Sequence, residues 1–365
     1  MPSFSKYLNV PAYGEEALTW CGPATGQMIM EGYPSGKCTK LQEDVNLAIQ
    51  NNKTETMWDT DPVGLKNAMS KLCPLPPGHG WSIFDSIDPT KLMYYAAYYM
   101  ATNSYPVAAL LNTFPHHSSI PSHSEHWVSI TGIVTDVTPV GNPSVSLQFV
   151  RFNDPVTPNL GNTVWPRTVS AAYWYTYLLK PVTKAGSSYI GKYIAVIEPP
   201  VATGTAKAPA ERLIGRVIPP REALRFAARW ISEYKLNEIQ PYQTLSESEP
   251  LEPLLVNKDR GGYYIIPYIQ RKPEKTAQPT IFINAYTGAF QEIGIVKPTE
   301  YVAEEEAIRI GLQQLGKARP RSVTAELVFP PDEATYARYF PIWKVVADKE
   351  TIGIEQKKTV RINMR

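Results

Sequence analysis

Three kinds of side chain in this sequence are placed to do chemistry together: a cysteine at a helix start, a histidine at a strand start, and an acid–amide pair at a strand end. The cysteine lies in Thr19-Trp20-Cys21-Gly22-Pro23-Ala24-Thr25-Gly26-Gln27-Met28-Ile29-Met30, where a loop turns into a helix. Pro23 suits a first helical turn, where its missing N–H costs nothing. Ala24, Gln27, Met28 and Met30 sustain the helix, and Gly32 and Pro34 stop it. A cysteine in that position feels the positive end of the helix dipole, which favours the reactive thiolate. An inert buried cysteine is the plain alternative, because free cysteines are often buried.

The elements downstream decide between the two. Ser124-Glu125-His126-Trp127-Val128-Ser129-Ile130-Thr131-Gly132-Ile133-Val134 reads as a strand with His126 near its start. A Pro/Gly/Asn-rich turn follows from Thr138 to Ser144. Val145 to Phe152 then alternates as a second strand, which ends at Asn153-Asp154-Pro155. Antiparallel pairing sets the start of the first strand beside the end of the second, so His126 falls next to Asn153 or Asp154. A histidine oriented by an acid or amide, facing a helix-start cysteine, is the nucleophile–base–orienter arrangement of thiol hydrolases.

The Trp-Cys-Gly-Pro-Ala run, the His-Trp strand and the Asn-Asp-Pro end together resemble the papain-like cysteine peptidase superfamily. They are most similar to the bacteriocin-processing (double-glycine leader) peptidases, and the likeness spans roughly residues 5–200. The resemblance implies Cys21 as nucleophile, His126 as base and Asp154 as orienter, with Asn153 as the alternative orienter. It also implies a peptide or protein substrate and no cofactor or metal. Such enzymes place a glutamine six residues before the cysteine to hold the oxyanion, and here that position is Glu15. An ionised carboxylate repels the developing charge, so the expected peptidase is acid-favoured. The alternative is a catalytically weak pseudo-peptidase that binds peptides or proteins.

At 365 residues two domains are expected. A hydrophobic content of 43% with 19% charged residues suits a chain that buries a real core. A net charge of +2 gives no electrostatic case for nucleic acid. Residues 1–200 carry a slight acidic excess and the remainder a slight basic one, so intramolecular docking of the two parts is expected. With Cys21 set aside, Cys38 and Cys73 remain, and the sequence leaves their pairing open. His116, His117 and His123 form the nearest thing to a metal tract, but with no cysteine nearby they read as a solvated loop. The stretch Leu92–Leu111 is interrupted by Thr102, Asn103, Ser104 and Pro106, so it reads as a buried helix and strand and not as a membrane span. No signal peptide is visible at Met1–Tyr7, yet a secreted or extracellular setting is favoured over the cytoplasm.

The elements that position these residues follow from periodicity. Leu41–Gln50 and Val63–Leu72 have helical spacing, the second capped by Asp61-Pro62. Pro89–Met100 is a tyrosine-rich helix, Val169–Leu179 an aromatic helix and Tyr193–Ile197 a closing strand. The fold expected is α+β, with a papain-like domain over 1–200, a proline-bearing linker over 201–210 and a second α+β domain over 211–365. In that second domain the spacings of Leu224, Ala227, Ala228, Ile231 and of Ile308, Gly311, Leu312, Leu315 predict two helices, each followed by strands. This resembles a tandem of PepSY-like or cystatin-like units. Residues 211–365 contain no Cys or His, so this part is expected to restrain or position substrates, and a chain ending near Glu198 to act without it. Gly311–Lys317 has Walker A spacing but lacks the magnesium-binding hydroxyl at Ala318 and ends a helix, so it is set aside.

Overall fold

A computed structural model of the chain describes residues 4–17, 19–34, 38–77, 79–112, 125–155, 166–198, 204–208, 216–256, 262–270, 278–296, 301–318, 320–328, 341–354 and 359–360. The histidine tract at 116–123 lies outside them. The fold is mixed α/β with antiparallel sheet, in two compact units. The first comprises Met1–Thr113, Ser124–Glu211 and Glu292–Gly294; the second comprises Phe114–His123, Arg212–Gln291 and Ile295–Arg365.

The first unit begins with β1 (Phe4–Tyr7), α1 (Cys21–Gly32), α2 (Gln42–Gln50) and α3 (Pro62–Leu72). Next come β2 (Ser82–Ser86), α4 (Pro89–Asn103), β3 (Val107–Asn112), β4 (Glu125–Thr135) and β5 (Ser144–Asn153). It closes with β6 (Arg167–Ser170), α5 (Ala171–Tyr173), β7 (Tyr193–Ile197) and β8 (Thr205–Lys207). The strands run β6-β5-β4-β3-β7-β2, all antiparallel, with β1 added to the far half of β4. Period-two alternation sorts the side chains between two cores. Ala108, Leu110, Trp127, Ile194 and Val196 face one core with α1, α2 and α3. Val107, Ala109, Leu111, Val128, Ile130, Ala195 and Ile197 face the other with α4. Covered on both sides, β4 is buried from His126 to Thr135.

Local chemistry explains the helices. Asp61 caps α3 by accepting from the Gly64 amide at 2.5 Å, with Pro62 in the first turn. In α4, Tyr94, Tyr95 and Tyr99 are buried, and the Tyr94 hydroxyl donates to the Pro139 carbonyl. Cys38 and Cys73 form a disulfide that closes a loop around α2 and α3. Replacing Cys38 by Ser is expected to destabilise this unit by ~2–4 kcal/mol, read as a lower urea midpoint that reductant does not lower further.

Two expectations about this unit are corrected. Val169 lies in β6 and not in a helix. Chain reversal begins only at Ser170, whose hydroxyl accepts from the Tyr173 amide, and Trp174–Leu178 continue α5 as a π-helical turn. The proposed linker contains β8, which pairs in parallel with β5 through Ser144↔Thr205, Val145↔Ala206 and Ser146↔Lys207. Ala206 is fully buried there, which the small, proline-bearing composition concealed.

The second unit contains α6 (Pro220–Glu233), β9 (Ser248–Pro250), β10 (Leu254–Val256), β11 (Tyr263–Gln270), β12 (Gln278–Asn284) and the two ends of β13 (Phe290–Val296), whose middle, Glu292–Gly294, belongs to the first unit. It continues with α7 (Glu304–Gln314), β14 (Val323–Val328), β15 (Ile342–Ala347), β16 (Glu350–Ile354) and β17 (Thr359–Val360). The β12–β13 turn is a left-handed Gly288, whose missing side chain makes room for the Phe226 ring. Helix α6 packs on β11 and β12, with Ala223 and Ala227 at the contact; Ala228, placed on that stripe by spacing alone, is exposed. Helix α7 packs on β14, β15 and β16 through Ala307 and Gly311. The Walker-like run crosses the C-terminal end of α7, which Gly316 terminates at φ +66°. Among the described residues no helix is long and apolar enough to cross a membrane.

Candidate functional site

Cys21 is the first residue of α1, and three contacts fix where that first turn sits. A side chain at position 22 would collide with Thr60, so Gly22 lets the turn approach it closely. The Thr25 hydroxyl donates to the Trp127 carbonyl at 3.0 Å, tying α1 to the residue next to His126. The Trp127 indole in turn donates to the Thr60 carbonyl at 3.1 Å. Thr19, two residues before the cysteine, has φ +75°, a left-handed conformation that costs a β-branched residue about 1–3 kcal/mol.

His126 stands opposite Leu111 of β3 and is only 2% exposed. Strands β4 and β5 pair with Ser129 opposite Asn153, and Asp154 follows at the strand end. From there Asp154 Oδ1 lies 2.8 Å from His126 Nε2. Burial alone would lower the imidazole pKa. The Asp154 carboxylate, by charge and hydrogen bond, and the Cys21 thiol override burial and raise it to about 10. The ring therefore favours its protonated form. Asn153, the alternative orienter, is engaged elsewhere: its amide donates to the Val10 and Pro11 carbonyls at 3.2 Å each.

Those two bonds help hold the N-terminal segment that carries Glu15. The Glu15 amide donates to the Pro155 carbonyl at 2.8 Å. Buried Gln42 clamps the neighbours, donating to the Gly14 carbonyl at 2.7 Å and accepting from the Glu16 amide at 3.0 Å. Glu15 thus lies within electrostatic range of the His126–Asp154 pair. Burial pushes its carboxyl up to about 7; His126 pulls against that shift and Asp154 adds to it.

Two participants were missed in the sequence. Arg167 of β6, opposite Phe152 on β5, donates through Nη1 to Asp154 Oδ2 at 2.7 Å. Its guanidinium lies over the Phe152 ring, 4.9 Å from the centroid. Through Nε it donates to Glu292 Oε1 at 2.7 Å, and Glu292 is fully buried. Glu292 belongs to the first unit because Glu292–Gly294 pairs antiparallel with Arg167–Val169. The signal in the sequence was slight: Arg167 opens the four-residue β6 and Glu292 lies within the largely apolar β13, and a buried charge demands a partner. Among the described residues no group of three His, Cys, Asp or Glu is placed to hold a metal ion. Comparison with protein-family models, with curated proteins and with solved structures finds no match to this chain.

Proposed function

We propose that this chain is a cysteine peptidase of papain-like type that hydrolyses peptide bonds through Cys21, His126 and Asp154. The observation that carries this reading is the buried His126–Asp154 pair, set by β4 and β5 where the first turn of α1 presents Cys21. In the proposed cycle the Cys21 sulfur attacks the scissile carbonyl, and His126 gives its proton to the leaving amine. Water, deprotonated by His126, then attacks the thioester and releases the second product with regeneration of the thiol. Asp154 holds the imidazole in the tautomer this requires. The Cys21 amide, a first-turn N–H without an intrahelical acceptor, is one oxyanion donor. The direct test is peptide hydrolysis by the wild type beside Cys21→Ala.

Glu15 is the proposed second donor, which makes the reaction acid-favoured. A carboxyl donates only while protonated, and with a pKa of about 7 this one loses its proton near neutrality. The rate is expected to fall as pH rises through about 7, well below the range in which His126 titrates. Glu15→Gln supplies a permanent donor, so it should flatten that fall and raise the rate at pH 8 by roughly tenfold. Stability should follow the same group. Its raised pKa favours the folded state while it is protonated, and that contribution is lost as pH rises from the ordinary carboxylate range through about 7. A pH–rate profile and a pH series of melting temperatures on both proteins check this. Identical profiles would place Glu15 outside the reaction and leave Thr19 as the next donor to examine.

The second reading, a peptide- or protein-binding pseudo-peptidase, is favoured by that same carboxyl if the protein works above pH 7. For the second unit we propose tandem PepSY-like or cystatin-like modules that restrain the peptidase or position its substrates. The packing of α6 on β11–β12 and of α7 on β14–β16 supports this.

A further inference from the structure

The peptidase reading uses Asp154 only through the oxygen that meets His126. Its other oxygen is held by Arg167, and Arg167 is held by Glu292. The result is a line of alternating charge, imidazole–carboxylate–guanidinium–carboxylate, in which Arg167 is 4% and Glu292 0% exposed. A buried arginine bound to Asp154 alone would draw the carboxylate's charge away from the imidazole. A carboxylate behind the arginine cancels that effect. The planar fork on Phe152 also fixes the guanidinium, and with it the carboxylate, in one geometry.

We propose that Arg167 and Glu292 are positioning residues, Arg167 aiming Asp154 at His126 and Glu292 balancing Arg167 so that Asp154 keeps its charge for the imidazole. The proposal deepens the peptidase reading and rests on it for its purpose. The charge line itself is a matter of geometry. Among the described residues, the ionisable groups facing His126 include Asp154 at the end of β5, Cys21 on α1 and Glu15 on the N-terminal segment; β3 presents apolar Leu111. Arg167 and Glu292 act through Asp154.

Two variants of the full chain push in opposite directions. Glu292→Gln leaves the guanidinium unbalanced, so His126 is expected to lose its proton at a pH lower by roughly half to one unit. Arg167→Gln combined with Glu292→Gln removes the nearer positive charge together with the farther negative one. It should raise that pH by a similar amount, and because neutral amides replace the buried ion pair it supplies the answer if the single variant does not fold. The readout is NMR of histidine-labelled protein, with the His126 resonance identified by its absence in His126→Ala. Scaffolding alone would lower the melting temperature of both variants without moving the titration. No shift in either variant, or a shift of the same sign in both, overturns the proposal. The titration is read whether or not any peptide is cut, so a wild type without hydrolysis removes the peptidase reading and leaves this one standing. Where hydrolysis is present, Glu292→Gln should lower kcat severalfold with KM unchanged.

Discussion

Cys21→Ala and His126→Ala are each expected to lower kcat/KM for peptide hydrolysis by ~10⁴-fold or more, leaving a folded protein. Removing the nucleophile or its base breaks the same covalent step, so the double variant should lose little beyond either single one. The fold should survive Cys21→Ala because the exchange deletes one sulfur at the edge of the core, and the disulfide lies elsewhere, between Cys38 and Cys73. In His126→Ala the Asp154 carboxylate keeps its Arg167 partner, so no charge is stranded. Steady-state rates on one peptide, with circular dichroism of each variant, decide the matter. Full activity in either would remove the enzyme reading.

The second large effect concerns the orienter. Asp154→Ala is expected to cost ~10³–10⁴-fold in kcat, and Asn153→Ala far less. Only Asp154 touches the imidazole, whereas the Asn153 amide is spent on the Val10 and Pro11 carbonyls. The Asn153 variant should therefore show its damage as lower stability and a changed pH profile, through the segment that carries Glu15. From the sequence, Asp154→Asn would keep part of the activity, because an amide oxygen can still accept from the ring. Arg167 alters that expectation. An asparagine has one oxygen for two donors, so if it faces Arg167 its NH₂ faces His126 and enforces the wrong tautomer. Asp154→Asn should consequently fall close to Asp154→Ala. A larger loss in Asn153→Ala than in Asp154→Ala would show that the wrong neighbour was assigned.

Several local features of this chain were legible in the sequence. Pro23, Gly32 and Pro34 bracket α1; Asp61-Pro62 opens α3; the alternation on either side of the Thr138–Ser144 turn gives β4 and β5 and their antiparallel pairing. That pairing alone brings His126 to the Asn153–Asp154 end. It could not choose between those two residues, because the choice depends on the segment around Val10 and on Arg167, both distant in sequence. The Arg167–Glu292 pair was invisible for the same reason. Nothing local links two lone charges on separate strands, and the aromatic run after Val169 concealed the strand that carries Arg167. The strand Thr205–Lys207 was missed because three residues cannot show a period, and it is held by distant partners, β5 beside it and α4 packed against it. These long-range strands also change what truncation means. A chain ending near Glu198 loses one partner of β5, the strand β8, and one of β6, the Glu292–Gly294 segment with the carboxylate that holds Arg167, so it is no longer expected to act alone.

Cleavage of peptide bonds by Cys21 is the step on which the proposed function stands. Its most direct test is a mixed peptide library incubated at about pH 5–6, where Glu15 is protonated, with the full-length wild type and with Cys21→Ala, and read by mass spectrometry for new termini. New termini are expected with the wild type, fewer as the pH is raised above 7, and none with Cys21→Ala. An uncut library with the wild type across pH 4–8, or the same termini with Cys21→Ala, would contradict it.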